Sequence, residues 1–343
     1  MKKIIITGGS GFIGSNLIRL LLKKKYYVIN IDKSSYSANP YNVKTFKKNK
    51  NYIFFRTDIN QKQKIIKIIK KYKPLGIINL AAETHVDRSI DNPEKFIKTN
   101  INGVYNLLEI LRKLKKSTKN KMKFLQISTD EVYGDIPESK LASEKDNYNP
   151  SSPYSASKAS ADQLVKSYGR TYGIKTLIAN PCNNYGPNQF PEKFIPKMIF
   201  NVLNNKPLTV YGRGKNTREW IYVDDNCEAI LKIFLKGKHG QNYNIGTGVK
   251  LKNIDIIKKI FKIAKKNKIK IGKKTKIIFV KDRPGHDLRY ALNSNKIFKS
   301  IKWKPKISTA AGLEYTFNWY KNNFGFFKKI SKKNITTRLG LKI

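Results

Sequence analysis

Short apolar runs alternate with segments of helical spacing through the first half of the chain. Lys3–Thr7, Tyr27–Ile31, Ile53–Arg56 and Gly76–Leu80 read as buried strands, as do Phe124–Ser128 and Lys175–Ala179. Between them, Asn16–Lys24 carries Leu17, Leu20 and Leu21 on one helical face, and Asn100–Lys113 and Ser157–Thr171 share that period. Strands alternating with helices build a parallel sheet, because a right-handed crossover packs each helix back onto a sheet face. The pattern predicts an α/β fold with a doubly wound parallel sheet. From Asn180 onward the period weakens, and Pro181, Pro187, Pro191, Pro196 and Pro207 punctuate loops. The expected division is a sheet domain at 1–180, to which roughly 218–240 return, and a smaller mixed α/β lobe drawn mainly from 181–320. A basic tail is expected at 321–343.

Composition bounds this picture without redirecting it. A chain of 343 residues with 40% hydrophobic content can fill two cores. No stretch approaches the ~20 uncharged apolar residues of a membrane span. Met1-Lys2-Lys3 runs at once into a strand, with no signal-peptide cleavage pattern. Cys182 and Cys227 make neither a disulfide framework nor a zinc site. The expectation is a cytoplasmic protein that binds no metal. A formal charge of +47 raises nucleic acid as a partner. Lysines, however, are spread from Lys2 to Lys342 with no block interleaved with aromatics, amid abundant Ile and Asn. That usage suits an A/T-biased coding sequence, so compositional drift is favoured over specific nucleic-acid binding. An anionic small substrate would be drawn to the same surface.

Thr7-Gly8-Gly9-Ser10-Gly11-Phe12-Ile13-Gly14 lies between a predicted strand and a predicted helix, the context of a dinucleotide-binding loop. Gly8, Gly11 and Gly14 allow a tight turn, close backbone approach to a pyrophosphate and close helix packing, as in a Rossmann domain. The helix N-terminus adds unpaired N–H groups for the anion. Asp32 ends the next strand where a ribose-binding carboxylate is expected, and it would repel a 2′-phosphate. The cofactor expected is therefore NAD, although Lys33 beside it pulls the other way. Asp58, followed by Ile59, suits a contact near the adenine or a turn. Leu80, Ala81 and Ala82 end a strand with residues mostly small enough for backbone to pass a cofactor closely.

Tyr154 and Lys158 stand one helical turn apart on one face. A neighbouring ammonium lowers a phenol's pKa, which is needed before tyrosine can act as a base near neutrality. Asp130 and Glu131 follow Thr129 at the end of the Phe124–Ser128 run, the edge at which open parallel sheets present ligands. Two carboxyls there can serve as acid and base if their environments push their pKa values apart.

A longer and more specific set of motifs runs through the chain. The set spans nearly the whole chain: Ala81-Ala82-Glu83-Thr84-His85-Val86-Asp87-Arg88-Ser89-Ile90, Ser128-Thr129-Asp130-Glu131-Val132-Tyr133-Gly134 and Ser152-Pro153-Tyr154-Ser155-Ala156-Ser157-Lys158. Further on come Asn183-Asn184-Tyr185-Gly186-Pro187, Phe190-Pro191-Glu192-Lys193-Phe194-Ile195-Pro196, Arg218-Glu219-Trp220-Ile221-Tyr222-Val223-Asp224-Asp225 and Asp282-Arg283-Pro284-Gly285-His286-Asp287.

This ordered set resembles the dTDP-glucose 4,6-dehydratase family of extended short-chain dehydrogenases/reductases, and the resemblance implies a redox-neutral lyase that keeps its NAD. Tyr154 would take the proton of the sugar 4-hydroxyl, with Thr129 on the same oxygen, while hydride passes from C4 to NAD⁺. Glu131 would remove the C5 proton, Asp130 would protonate the departing 6-hydroxyl, and hydride would return to C6. Lys158 would hold the nicotinamide ribose and tune Tyr154. Thr84, Asn183, Glu192, Lys193, Arg218, Asn244, Arg283 and His286 would meet the sugar or nucleoside diphosphate, with Thr99 and Asn184 on the cofactor side. Asn244 would serve equally as a turn residue. Homodimers paired through helices that include the one at Ser157 are also implied. Two departures stand out: Cys182 occupies a usual serine position, and the stretch between Glu131 and Tyr154 is short. The rivals are a dehydratase for another nucleotide-sugar, a 4-epimerase, or a basic NAD-binding scaffold that holds nucleic acid. An epimerase or a scaffold has no task for the Asp130–Glu131 pair.

Overall fold

A computed structural model of the protein describes residues 1–119, 121–328, 330 and 339. The first half contributes β1 (Lys3–Thr7), β2 (Tyr27–Asp32), β3 (Tyr52–Arg56), β4 (Gly76–Asn79), β5 (Lys123–Ile127) and β6 (Lys175–Pro181). The second half contributes β7 (Asn183–Tyr185), β8 (Leu208–Tyr211), β9 (Thr217–Tyr222), β10 (Gln241–Ile245), β11 (Lys250–Lys252) and β12 (Ile277–Val280). The main sheet runs β10-β6-β5-β4-β1-β2-β3, with every pairing parallel.

Helices Phe12–Lys23 and Val223–Lys236 cover one face, and Lys62–Tyr72, Gly103–Arg112 and Pro153–Tyr172 the other. Strand geometry alternates side chains between these layers. Ile4 and Ile6 pack with Leu17, Leu21, Ile230 and Phe234, whereas Ile5 packs with Ile68, Leu107, Leu108 and Val165. Burial on both faces is why such strands read as unbroken apolar runs. Strand order reverses between β1 and β4, and the crevice there, at the carboxyl ends of the strands, is where such sheets bind ligands.

A second core holds the other lobe together. Helices Phe194–Leu203, Asn253–Lys266 and Thr309–Asn322 pack around β7 to β9, burying Tyr185, Ile199, Trp220, Ile257 and Phe317. The expected tail at 321–343 begins inside this core, where Phe326, Phe327 and Ile330 are buried. Nearly all of 331–343 lies outside the described residues. Segment 218–240 supplies β9 and a helix packed on Phe12–Lys23, and β10 extends the main sheet beside β6.

Helix starts differ from the sequence expectation where they matter. The first helix begins at Phe12, not Asn16, directly on the glycine loop with Gly11 as its N-cap. The helix expected from Ser157 begins at Pro153, because Ser152 and Ser155 form a reciprocal cap and Pro153 needs no N–H partner there. That start brings Tyr154 into the helix. The segment from Ile97 to Asn102 is a π-helical turn before Gly103–Arg112. The helix Lys62–Tyr72 is masked in the sequence because its lysines flank a narrow stripe of Ile65, Ile68 and Ile69. Among the described residues no helix is long and apolar enough to cross a membrane.

Candidate active site

A cavity of about 620 Å³ extends from the glycine loop to the second lobe. Gly8, Gly11, Phe12, Ile13, Gly14, Asp32, Lys33, Asp58, Ile59, Leu80, Ala81, Ala82, Thr99 and Asn184 line it. So do Thr129, Glu131, Tyr154 and Lys158, and from the other lobe and its approaches Thr84, Asn183, Glu192, Lys193, Arg218, Arg283 and His286. Asp130 lies just behind the wall, 2% exposed.

Asn244 is the expected substrate contact that the structure places elsewhere. It is fully buried in β10, and Tyr133 donates to its Oδ1 at 2.9 Å. Its Nδ2 donates to the carbonyls of Ala142 and Asn293 at 2.9 and 3.3 Å. Its polar capacity is spent on holding the 133–142 segment and the 293 region to the sheet, so it is a structural residue.

The cofactor end fits NAD. Gly8 adopts φ +69°, and a Cβ there would lie 2.7 Å from the Ala81 nitrogen, so backbone alone forms the cradle. Asp32 accepts from the Ser10 amide at 2.9 Å and the Ser34 amide at 2.7 Å, which pins the loop ends together. Burial pushes its carboxyl upward, against those hydrogen bonds. Lys33 donates to Thr99 at 3.1 Å and faces Glu83 at 3.3 Å and Asp58 at 3.9 Å. With two carboxylates already on it, Lys33 is poorly placed to attract a 2′-phosphate, and its pull toward NADP is answered. Asn100, in the π-helical turn, clamps Glu83 through both backbone groups at 2.9 and 3.0 Å and donates to Ser157 at 2.9 Å.

The reacting end gathers around the Thr129 cap. Thr129 accepts from the Glu131 amide at 3.3 Å and donates to Asp130 Oδ1 at 3.1 Å. The other Asp130 oxygen is buried without a partner. Burial first, then Glu131, drive Asp130 well above the usual carboxylate range. Burial also raises Glu131, but Arg283, Lys193 and Arg218 all pull it back. Both carboxyls are thus raised, Asp130 the further: Arg218 opposes the rise at Asp130, and Arg283, Lys193 and Arg218 oppose it at Glu131, so Asp130 is the better acid of the two and Glu131 the better base.

Tyr154 is raised by burial and Glu131, with the neighbouring Thr129 hydroxyl acting the other way. The helical spacing predicts that Lys158 lowers this phenol. Its ammonium instead donates to the Ile127 carbonyl at 2.6 Å, and burial lowers it to about 8. The phenol thus stays protonated until positive charge arrives in the cavity.

The second lobe supplies cations on fixed mounts. Arg218 spends Nη1 and Nη2 on the carbonyls of Thr217, Leu288 and Asp287 at 2.8 to 3.1 Å, and lies 4.0 Å over the Tyr290 ring. Arg283 pairs with Asp87 at 2.7 Å, leaving its buried Nε without a partner. Lys193 donates to the Thr84 carbonyl at 2.5 Å. Glu192 is held by Arg88 at 3.0 Å and by the Tyr36 hydroxyl at 3.0 Å. His286 meets Asp282 at 2.6 Å, yet burial keeps it near 4 and thus neutral at physiological pH. Asp87 and Tyr290 line the cavity and Arg88 holds Glu192 from behind it, roles that sequence reasoning misses. Asp87 and Arg88 stand inside the 81–90 motif, whereas Tyr290 carries no local signal.

Comparison with known proteins agrees with this geometry. The family model described as GDP-mannose 4,6 dehydratase matches residues 5–316. The chain belongs to this family. It is 44% identical over 336 residues to the dTDP-glucose 4,6-dehydratase of Salmonella typhimurium, covering 94% of this chain and 93% of that one. The NAD complex of the Bacillus anthracis dTDP-glucose 4,6-dehydratase superposes with a TM-score of 0.87 at 37% identity, covering 96% of this chain and 100% of that one. The Streptomyces venezuelae dTDP-glucose 4,6-dehydratase, solved with NAD bound, gives 0.88 at 35% identity, with 94% and 98% covered. As a member of this family the protein is an NAD-dependent nucleotide-sugar lyase.

Proposed function

We propose that the protein converts dTDP-glucose to dTDP-4-keto-6-deoxyglucose and water. The observation that carries this reading is the adjacent carboxyls Asp130 and Glu131 beside Tyr154, Asp130 buried with one oxygen unpartnered and Glu131 lining the cavity. The dTDP-linked substrate rests on the relatives' names. Bound NAD supplies the hydride acceptor for C4 and the donor for C6, and its oxidised ring carries positive charge. Tyr154 takes the 4-hydroxyl proton, with Thr129 on the same oxygen. Glu131 removes the proton that the 4-keto group has acidified at C5. Asp130, already protonated, donates to the leaving 6-hydroxyl, and C5 is reprotonated as the cycle closes. Arg283, Lys193 and Arg218 gather positive charge for the diphosphate, with Arg218 also shaping the wall.

The same reading includes a homodimer and a cytoplasmic setting. Ile97, Tyr105 and Tyr172 are exposed apolar side chains on the helical layer that contains Pro153–Tyr172, and they support pairing there. Both cysteines are buried free thiols, as suits a reducing compartment.

The test is incubation of the purified protein with dTDP-glucose, read by mass spectrometry and NMR. A product lighter by one water, with a C6 methyl group, is expected. A C4 epimer of unchanged mass overturns the roles given to Asp130 and Glu131.

A further inference from the structure

We infer that Asp162 is a positioning residue that keeps Lys158 an ammonium in the cavity wall and so sets the alkaline limit of turnover. The inference rests on the dehydratase reading of the site. Asp162 does not line the cavity. It lies on the helix Pro153–Tyr172, where Tyr154, Lys158 and Asp162 follow at four-residue spacing on one face. Tyr154 and Lys158 line the cavity; Asp162 lies behind them, fully buried.

Its surroundings are built to hold a charge. The Ser128 hydroxyl donates to Asp162 Oδ2 at 2.6 Å, and the Tyr148 hydroxyl at 3.1 Å. Oδ1 is buried without a hydrogen-bond partner. A carboxyl so enclosed is retained at a cost unless a cation answers it. Lys158, itself 3% exposed, stands one turn away on the same helix. Lys166 is the other lysine of this helix acting on Asp162, and Tyr133 and Tyr148 face it from the 130–148 segment. Tyr154 also feels it, as the smallest of its main influences.

The two groups support each other's charge. Burial raises Asp162 to about 6, and Lys158 is the largest influence pulling it down. Burial lowers Lys158 to about 8, and Asp162 holds it up. Between those values both are ionised, and Lys158 stands as an ammonium on the Ile127 carbonyl, lining the cavity one helical turn from Tyr154. Without the carboxylate, Lys158 loses its proton at lower pH. Ser128 and Thr129 are consecutive, so one strand end anchors both the carboxyl under Lys158 and the cap beside Tyr154.

The test is the pH profile of kcat for dehydration by the NAD-loaded enzyme. Asp162→Asn keeps an acceptor for Ser128 and Tyr148 but removes the charge. Its alkaline limb should move down by about one pH unit or more, the scale of a lost opposite charge. Tyr148→Phe removes a hydrogen bond that favours the Asp162 carboxylate. It should move the acid limb up while leaving the alkaline limb in place, and it carries the test alone if Asp162→Asn does not fold. Lower rates or melting temperatures with both limbs unmoved would mean a purely structural residue and overturn the inference alone. A wild-type enzyme that releases no dehydrated product overturns the functional reading, and this inference with it.

Discussion

Replacing Glu131 by Gln keeps the side chain's shape and removes its charge, so it separates the two halves of the proposed cycle. The effect on the first half comes from the electrostatics. Glu131 is the largest charged influence raising Tyr154 and also the largest raising Asp130. Its loss lets the phenol ionise more readily, so C4 oxidation should persist. It also leaves Arg283, Lys193 and Arg218 without the anion they surround. Those cations remain available to the diphosphate, so KM should not rise.

The second half should fail. A positioned general base contributes about 10²–10⁴ in rate, or about 3–5 kcal/mol of barrier, and the amide cannot take the C5 proton. The variant should accumulate reduced cofactor, seen by its fluorescence, with little product released. In deuterated water the recovered sugar should carry no deuterium at C5. Turnover within a factor of about ten of wild type, or deuterium at C5 at the wild-type rate, would remove Glu131 from the base role.

Two further substitutions test long-range contacts that only the structure reveals. Arg283→Met leaves Asp87 buried with the Tyr211 hydroxyl at 2.7 Å but no guanidinium, so urea unfolding should show a loss of about 3 kcal/mol. Adding Asp87→Asn should restore most of it, and a double variant as unstable as the single one would refute the pairing. Asn244→Ala removes the acceptor of the buried Tyr133 hydroxyl and a donor to the Asn293 carbonyl, while the Ala142 carbonyl keeps the Asn293 amide; it should cost about 1–3 kcal/mol, with KM for the nucleotide-sugar unchanged in the folded protein. A large rise in KM at unchanged stability would return Asn244 to the substrate.

Local signals carried much of this fold and site to the surface of the sequence. Ile4-Ile5-Ile6 announces a strand buried on both faces, and the glycine spacing announces the dinucleotide loop after it. Tyr154, Lys158 and the Asp130–Glu131 pair are legible because their partners lie within one turn of chain. What the sequence hid is long-range. Arg283 and Asp87 are 196 positions apart, and Glu192 meets Arg88 across 104. No spacing rule reaches such pairs, because they exist only once the second lobe closes over the sheet.

The same distinction explains the two readings that changed. Asn244 belongs to a motif whose local pattern offers a polar side chain at a strand end, and only the 142 and 293 carbonyls, brought in from elsewhere, claim it. Lys158 has the spacing to reach Tyr154, but the Ile127 carbonyl claims its ammonium. Proximity along a helix therefore names the participants, while burial and long-range partners assign their charge. For Asp130 and Glu131 this ordering is decisive. The sequence makes them neighbours of nearly equal chemistry, and the cations of the second lobe bear most on Glu131, the one proposed as the base.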